Sequence, residues 1–405
     1  VSTPREFPIQ LLAQPTQAKL DYFHSYTIAH PHLDNAVEKL KLIIRNPGES
    51  RVVFIYGPTG VGKTTLQRII EKWLINLTLL ELETDRGCIS VASVEVVLHK
   101  SGFFNSKDHL KRCLFALNEP EEFINYKINY GVKGIYRNKD DQIIIEPRVN
   151  EPELDWALEQ ALKHRRPSIF FIDEFHHMLK VASGRKLTDL PEAIKSLANR
   201  TSVVHGLIGT YEVLTLHDVG EQLSRRSVYI HIPRYRADWE EERLIYQSVV
   251  WSFQRGMPIE EEPDLLSHWE YLYERSLGCV GTLKNWLSTS LADALLEGAK
   301  TLTLKHLEQR ALSVAQCRNM FKKIKEGEHN HAQIEAEVEQ LRAALGLGVE
   351  PSPKPTPKGN SPSDNKPEVQ TQESATPKSK GRTQAVGKRS PKRDQVGGVE
   401  QNAGG

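Results

Sequence analysis

The chain has 405 residues, 39% hydrophobic and 26% charged, a length that holds two or three domains, and its net charge of +1 gives the whole no bias toward acidic or basic partners. Cys88, Cys113, Cys279 and Cys317 stand far apart without a CxxC pair, which argues against a disulfide framework or a zinc site. No apolar run approaches the ~18 residues of a membrane span and the N-terminus lacks a basic-then-apolar signal, so a soluble, cytoplasmic protein with no membrane partner is expected.

Prolines at Pro4, Pro8, Pro15 and Pro31 mark an extended arm before a leading helix carrying Leu33, Val37, Leu40 and Ile44, together residues 1–45. From 46 to 235, apolar runs alternate with helical patterns: Val52–Tyr56, a helix from Lys63 to about Leu77, Ile89–Leu98, a helix from Lys107, Ile169–Ile172, a helix near Leu190–Ala198, Val203–Ile208 and Val228–Ile232. Such alternation predicts an α/β domain with a parallel central sheet covered on both faces. Residues 126–149 interrupt it with the pattern of a β-hairpin insertion.

Residues 236–347 read as a small helical lid domain, with Leu244, Val249, Leu265, Leu272, Leu287, Leu291, Leu295, Leu307 and Val314 as core. A further helix, His331–Leu345, stripes Ile334, Val338, Leu341 and Leu345 along one side for packing on the lid or on a partner. Residues 348–405 hold eight prolines and no aromatics, and ten basic against six acidic residues, a net of +4 that leaves −3 for the rest. With little apolar surface to bury, this tail is expected to be disordered. Its basic stretch, Lys378 to Arg393, fits a DNA-attracting or transposase-docking segment as well as a solubilising one.

The chemistry concentrates at strand ends. Gly57-Pro-Thr-Gly-Val-Gly-Lys-Thr64 matches GxxxxGK[ST] between an apolar strand and an amphipathic helix bearing Leu66, Ile69, Ile70, Trp73 and Leu74. In that context the loop aims backbone N–H groups at nucleotide phosphates. Pro58, Thr59, Val61 and Thr65 complete its wall; Gly57, Gly60 and Gly62 permit the tight path; Lys63 adds a point charge, and the Thr64 hydroxyl is placed for Mg²⁺. Ser168-Ile-Phe-Phe-Ile-Asp-Glu174 is a strand ending in two acids, Asp173 for the metal ion and Glu174 as general base for the hydrolysis of ATP.

His176 and His177 are adjacent, not i, i+4, and no third ligand is evident, so a polar role near the γ-phosphate or at a subunit contact is expected rather than a metal site. Thr210, ending a strand at Gly209-Thr210, fits a water-orienting residue and equally a plain strand-end turn. In Ser224-Arg-Arg-Ser227 an arginine fits a finger reaching a neighbouring subunit's nucleotide, Arg226 before Arg225, and also a solvated helix end. In Gly278-Cys-Val-Gly-Thr-Leu-Lys284, preceding a helix Asn285–Leu296, Lys284 fits a lid contact to phosphate and also an ordinary surface lysine.

Phe171-Ile-Asp-Glu-Phe-His-His-Met-Leu179, Leu207-Ile-Gly-Thr210, Leu223-Ser-Arg-Arg-Ser227 and Thr27-Ile-Ala-His-Pro-His-Leu33 together resemble the TnsC/TniB-type AAA+ regulators of DNA transposition, including those of CRISPR-associated transposons, over roughly residues 20–320. Where members often carry arginine after the lid glycine, this chain has Thr282, with Lys284 as substitute. The resemblance implies an AAA+ P-loop ATPase that uses ATP and Mg²⁺ to assemble as a ring or helical homo-oligomer on double-stranded DNA. It further implies that the assembly is placed by a target selector of TniQ/TnsD type, recruits the transposase, and comes apart on hydrolysis. A lysine gripping DNA maps best to Lys107, with Lys111 and Arg112 beside it, although a charged helix face is also commonly just solvated. The alternatives are another DNA-acting AAA+ ATPase, of initiator or helicase-loader type, and a nucleotide-controlled oligomerisation switch.

Overall fold

The computed structural model describes residues 5–85, 87–100, 102–117, 130–139, 142–180, 189–216 and 227–347. Arg225, Arg226 and the tail expected to be disordered lie outside the described residues.

Five strands form the parallel sheet: β1 (Val52–Tyr56), β2 (Val91–Glu95), β5 (Ile169–Asp173), β6 (Val204–Gly209) and β7 (Ser227–His231), in the order β2-β5-β6-β1-β7. The chemistry depends on the register, in which Tyr56 pairs with Gly209 and His231, and Glu95 with Asp173. All C-terminal ends therefore open on one edge, and β6 stands between the P-loop strand and the acid-bearing strand.

Alternation along β1 assigns its faces. Val53 and Ile55 pack with Leu40 of α2 (Pro31–Arg45) and with Leu66, Ile70 and Leu74 of α3 (Lys63–Thr84). Phe54 and Tyr56 face the other core, with Cys113 of α4 (Ser106–Ala116), Leu158 and Leu162 of α5 (Glu151–Arg165) and Ala198 of α6 (Asp189–Thr201). Burial on both faces explains why these strands read as unbroken apolar runs. Helix α5 starts at a capping box, Asn150 accepting from the Glu153 N–H at 3.0 Å while Glu153 accepts from the Asn150 N–H at 2.8 Å. The insertion is a hairpin of β3 (Ile135–Arg137) and β4 (Ile143–Ile145), with Ile135 and Ile143 packed into the α4–α5 core.

Four expectations are corrected. The arm is not extended: it holds a 3-10 turn, Ile9–Ala13, and helix α1, Thr16–Ser25. Pro8 and Pro15 immediately precede these elements, where the missing N–H has no helical partner to lose, so they start helices instead of preventing them. In the lid, Leu244 and Val314 are exposed at 56% and 46%. Leu244 belongs to α7 (Glu240–Gly256), whose buried stripe runs through Tyr246, Val249, Val250 and Phe253, and Val314 is the first residue of its helix.

The last helix is also different from expectation. After α8 (Trp269–Ser276), α9 (Val280–Leu296) and α10 (Leu304–Arg310), a single helix, α11, runs from Val314 to Ala344. It does not pack only on the lid: Cys317 and Ile324 join the α2–α3 core, Ile334 packs against the α4–α5 core, and Gly327 lies so close to Tyr211 that a Cβ would be 2.2 Å from its ring. Leu341 and Leu345 stay exposed. Helix α9 likewise begins at Val280, not Asn285, so the glycine motif forms its first turn. Arm, sheet and lid belong to one compact unit, Val1–Gly348.

Candidate nucleotide-binding site

The turn after β1 needs its glycines. A Cβ on Gly57 would lie 2.1 Å from the Ile232 carbonyl oxygen, and one on Gly60, at φ +82°, 2.0 Å from Thr282 Oγ1. The loop feeds directly into α3, so its N–H groups and the helix N-terminus share one cavity of about 550 Å³. Thr59 to Thr65 line it, together with Asp173, Glu174, Thr210 and Lys284. Gly57 and Pro58 stand behind, their carbonyls accepting from Lys63 Nζ at 2.9 and 2.8 Å. Burial pushes the Lys63 amine down to about 8 against the pull of Glu174 and Asp173. An anion in the cavity would favour the charged form further. Lys63→Ala is expected to weaken ATP binding about ten- to a hundredfold in a fluorescent-nucleotide titration, the loss of a hydrogen-bonded charge pair.

Glu174 adopts a left-handed backbone, φ 52° and ψ 34°, uncommon for a residue with a side chain. Strain of this kind clusters at functional sites, where surrounding packing over-determines it; here Phe175 and Met178, both buried, anchor the turn that follows. The Glu174 N–H donates to Asp173 Oδ1 at 2.8 Å. Burial raises the Asp173 carboxyl, partly offset by that N–H and by Lys63. Thr210 follows β6 between the two acids and the P-loop, and its buried Oγ1 has no hydrogen-bond partner among the described residues.

The donor set fits a hard divalent cation. Thr64 and Asp173 both offer oxygens to the cavity, and a carboxyl raised by burial is one whose ionised form a cation would favour. Glu174, unlike the expectation of no third ligand, does bring an atom within 4.8 Å of ligand atoms on both His176 and His177. His177 Nδ1, however, donates to the Val96 carbonyl at 3.0 Å.

The lid closes on the loop through backbone: the Thr282 N–H donates to the Gly60 carbonyl at 3.0 Å. Lys284 lines the cavity, but its amine donates to the Phe23 carbonyl and rests 3.5 Å from the centre of the Phe23 ring, tying α9 to α1. Burial lowers this amine to about 7 from an ordinary value near 10.5. A folded-state value below the unfolded one means that the unfolded chain binds more protons between these limits, so stability rises with pH from about 7 and levels off near 10.5. Lys284→Met should flatten this rise when melting temperatures are compared at pH 7 and pH 10.

The residues expected on DNA do not line this cavity. Lys107 Nζ donates to the Pro147 carbonyl at 3.2 Å, and Arg112 Nε to Asp108 at 2.8 Å along α4. Sequence reasoning missed the wall where His24 to Ile28, His30 and Leu33 of the arm meet Phe253, Asn285 and Ser288 of the lid. The only trace in the sequence was the Thr27–Leu33 stretch preceding the P-loop.

Residues 45–216 match the family model of the AAA domain. The chain has the AAA+ fold. A parallel sheet with the P-loop on β1, the acid pair on β5 and a helical region above the loop is the architecture of this nucleotide-binding class. No curated protein matches the chain. Solved structures that this chain is similar to include the ADP form of the Aeropyrum pernix ORC2 protein, at 15% identity over 72% of this chain and 71% of that one, with a TM-score of 0.43. Domain III of the Thermotoga maritima replication initiation protein DnaA is 17% identical over 72% and 95%, TM-score 0.39. Drosophila ORC bound to DNA is 11% identical over 87% and 84%, TM-score 0.41. Among the described residues of the AAA+ chain, no helix is long and apolar enough to cross a membrane.

Proposed function

We propose that the protein is a Mg²⁺-dependent ATPase whose nucleotide state controls assembly on double-stranded DNA, in the manner of a regulator of transposition. The observation that carries the ATPase reading is the meeting of Lys63, Thr64, Asp173, Glu174 and Thr210 in one cavity. Lys63 and the loop N–H groups hold the phosphates; Thr64 and Asp173 would hold Mg²⁺, which supplies charge neutralisation on the phosphate oxygens. Glu174 takes a proton from water as the water oxygen bonds to the γ-phosphorus and the bond to the β-phosphate oxygen breaks, and Thr210 orients that water. Arg226, or Arg225, from a neighbouring copy completes the charge stabilisation.

Assembly on DNA is supported by the resemblance of the 171–179, 207–210 and 223–227 stretches to TnsC/TniB-type regulators. On this reading Lys107, Lys111 and Arg112 touch DNA phosphates, a target selector of TniQ/TnsD type places the assembly, and the transposase docks on it. An initiator- or helicase-loader-type ATPase would share the same site. Electron microscopy with ATP, with and without duplex DNA, tests the proposal. Rings or filaments threaded by DNA that recruit a transposase are expected; oligomers indifferent to DNA would instead indicate a nucleotide-controlled oligomerisation switch. Replacing Lys107 and Lys111 with alanine should weaken DNA binding evenly across sequences and lower the salt slope by about two.

A further inference from the structure

His176 follows Glu174 by two residues on the tight turn after β5, and it does not line the nucleotide cavity. Its ring is buried, with 8% of the residue exposed, and desolvation with His177 alongside lowers it to about 4, so it is neutral at ordinary pH. A neutral imidazole carries one N–H. Nδ1 stands 3.2 Å from Glu174 Oε2, out of line for a hydrogen bond, and has no other partner among the described residues. The turn that carries this ring is held along its length. Phe175 and Met178 are buried on either side along the chain; the His177 N–H donates to the Glu174 carbonyl at 2.8 Å, and His177 Nδ1 donates to Val96. The end of β6 runs alongside the ring: a Cβ on Gly209 would sit 3.7 Å from His176 Nδ1, an ordinary contact distance. The Glu174 side chain is the mobile partner, 42% exposed.

We propose that the Nδ1–H of His176 is the fixed point that aims the Glu174 carboxylate, an inference that rests on the reading of Glu174 as the base. A small rotation of the exposed carboxylate turns the 3.2 Å contact into a charge-assisted hydrogen bond, as happens when catalytic geometry tightens around its substrate. Oε2 is then held by the ring, and Oε1 is left to receive the proton from the attacking water. His176 is thus a positioning residue: it touches neither nucleotide nor water, and its loss should act on turnover and not on binding.

The test compares steady-state ATP hydrolysis and ATP affinity of the full chain with those of His176→Phe, His176→Asn and Glu174→Gln. His176→Phe keeps the ring volume without a donor and should lower kcat about ten- to a hundredfold, the worth of one hydrogen bond to a charged group, with KM and ATP affinity within about twofold. His176→Asn places an N–H near the Nδ1 position and should recover most of the rate. Should His176→Phe fail to fold, as judged by thermal melting, His176→Leu takes its place in the comparison. An inactive Glu174→Gln beside a fully active His176→Phe overturns the role of His176 and leaves the base assignment standing. Equal slowing by Phe and Asn overturns it as well, because packing and not the N–H would then matter. A fully active Glu174→Gln removes the base assignment itself.

Discussion

Glu174→Gln should bind ATP with an affinity within about threefold of the wild type and hydrolyse it at least about a hundredfold more slowly, the low end of what a positioned general base contributes. The amide keeps the size of the carboxylate, so the left-handed turn at φ 52° and the buried Phe175 and Met178 that anchor it are undisturbed. What is lost is the ability to take up a proton. Asp173, the other acid at the strand end, is not expected to substitute, since its Oδ1 accepts the backbone N–H of residue 174 and its remaining oxygen is the one proposed to hold the cation. Phosphate release under single-turnover conditions reads the chemical step directly, and an ATP-bound assembly should accumulate in the variant. A variant that releases phosphate at the wild-type rate would falsify the assignment of the base.

Arg234→Ala should lower the stability of the folded unit by about 2 kcal/mol, the worth of a hydrogen bond to a charged group, because the Glu328 carboxylate left behind can reach water. Arg234 leaves the sheet just after β7, with its side chain 6% exposed, and joins three parts of the molecule at once. Its Nε donates to Glu328 of α11 at 2.7 Å, one of its terminal nitrogens donates to the Tyr273 hydroxyl of α8 at 2.9 Å, and its guanidinium lies 5.5 Å from the Phe321 ring of α11. Without it, Glu328 can turn to water, being 22% exposed, whereas the Tyr273 hydroxyl still donates to the Tyr235 carbonyl at 3.0 Å. The damage should therefore fall on α11. Urea unfolding gives the magnitude, and limited proteolysis should cut within α11 before the sheet is attacked. Unchanged stability would mean that the apolar contacts of Cys317 and Ile324 hold this helix without the ion pair.

The sheet strands and the P-loop were legible because their signals are local. A strand buried on both faces is an unbroken apolar run, as in Val52-Val-Phe-Ile-Tyr56, and a glycine-rich loop ending in Lys63-Thr64 between such a run and an amphipathic helix is the local pattern that a phosphate site requires. The arm was misread as extended because prolines disfavour helix interiors, and only the positions of Pro8 and Pro15 just ahead of helical turns show that they start helices here. The break placed between the lid and the helix at His331 was wrong for a different reason. Residues 325–333 are polar and read as a boundary, yet α11 crosses two cores there and needs its polar residues for Arg234 and for Tyr56, whose hydroxyl meets His331 Nδ1 at 3.0 Å.

The sequence by itself determined the nucleotide fold and the residue types of its phosphate end, because loop, acids and hydroxyl each follow a strand whose apolar pattern marks where it stops. Only the tertiary structure decided what those residues face. Strand order places β6 between β1 and β5, which brings Thr210 between the P-loop and Glu174. Packing of α1 against α9 turns Lys284 from the phosphates to the Phe23 carbonyl, and the turn after β5 puts a buried imidazole nitrogen beside the base. These are contacts between segments far apart in the chain or across a strained turn, set by the burial of apolar surface elsewhere, and no local pattern of residues encodes them.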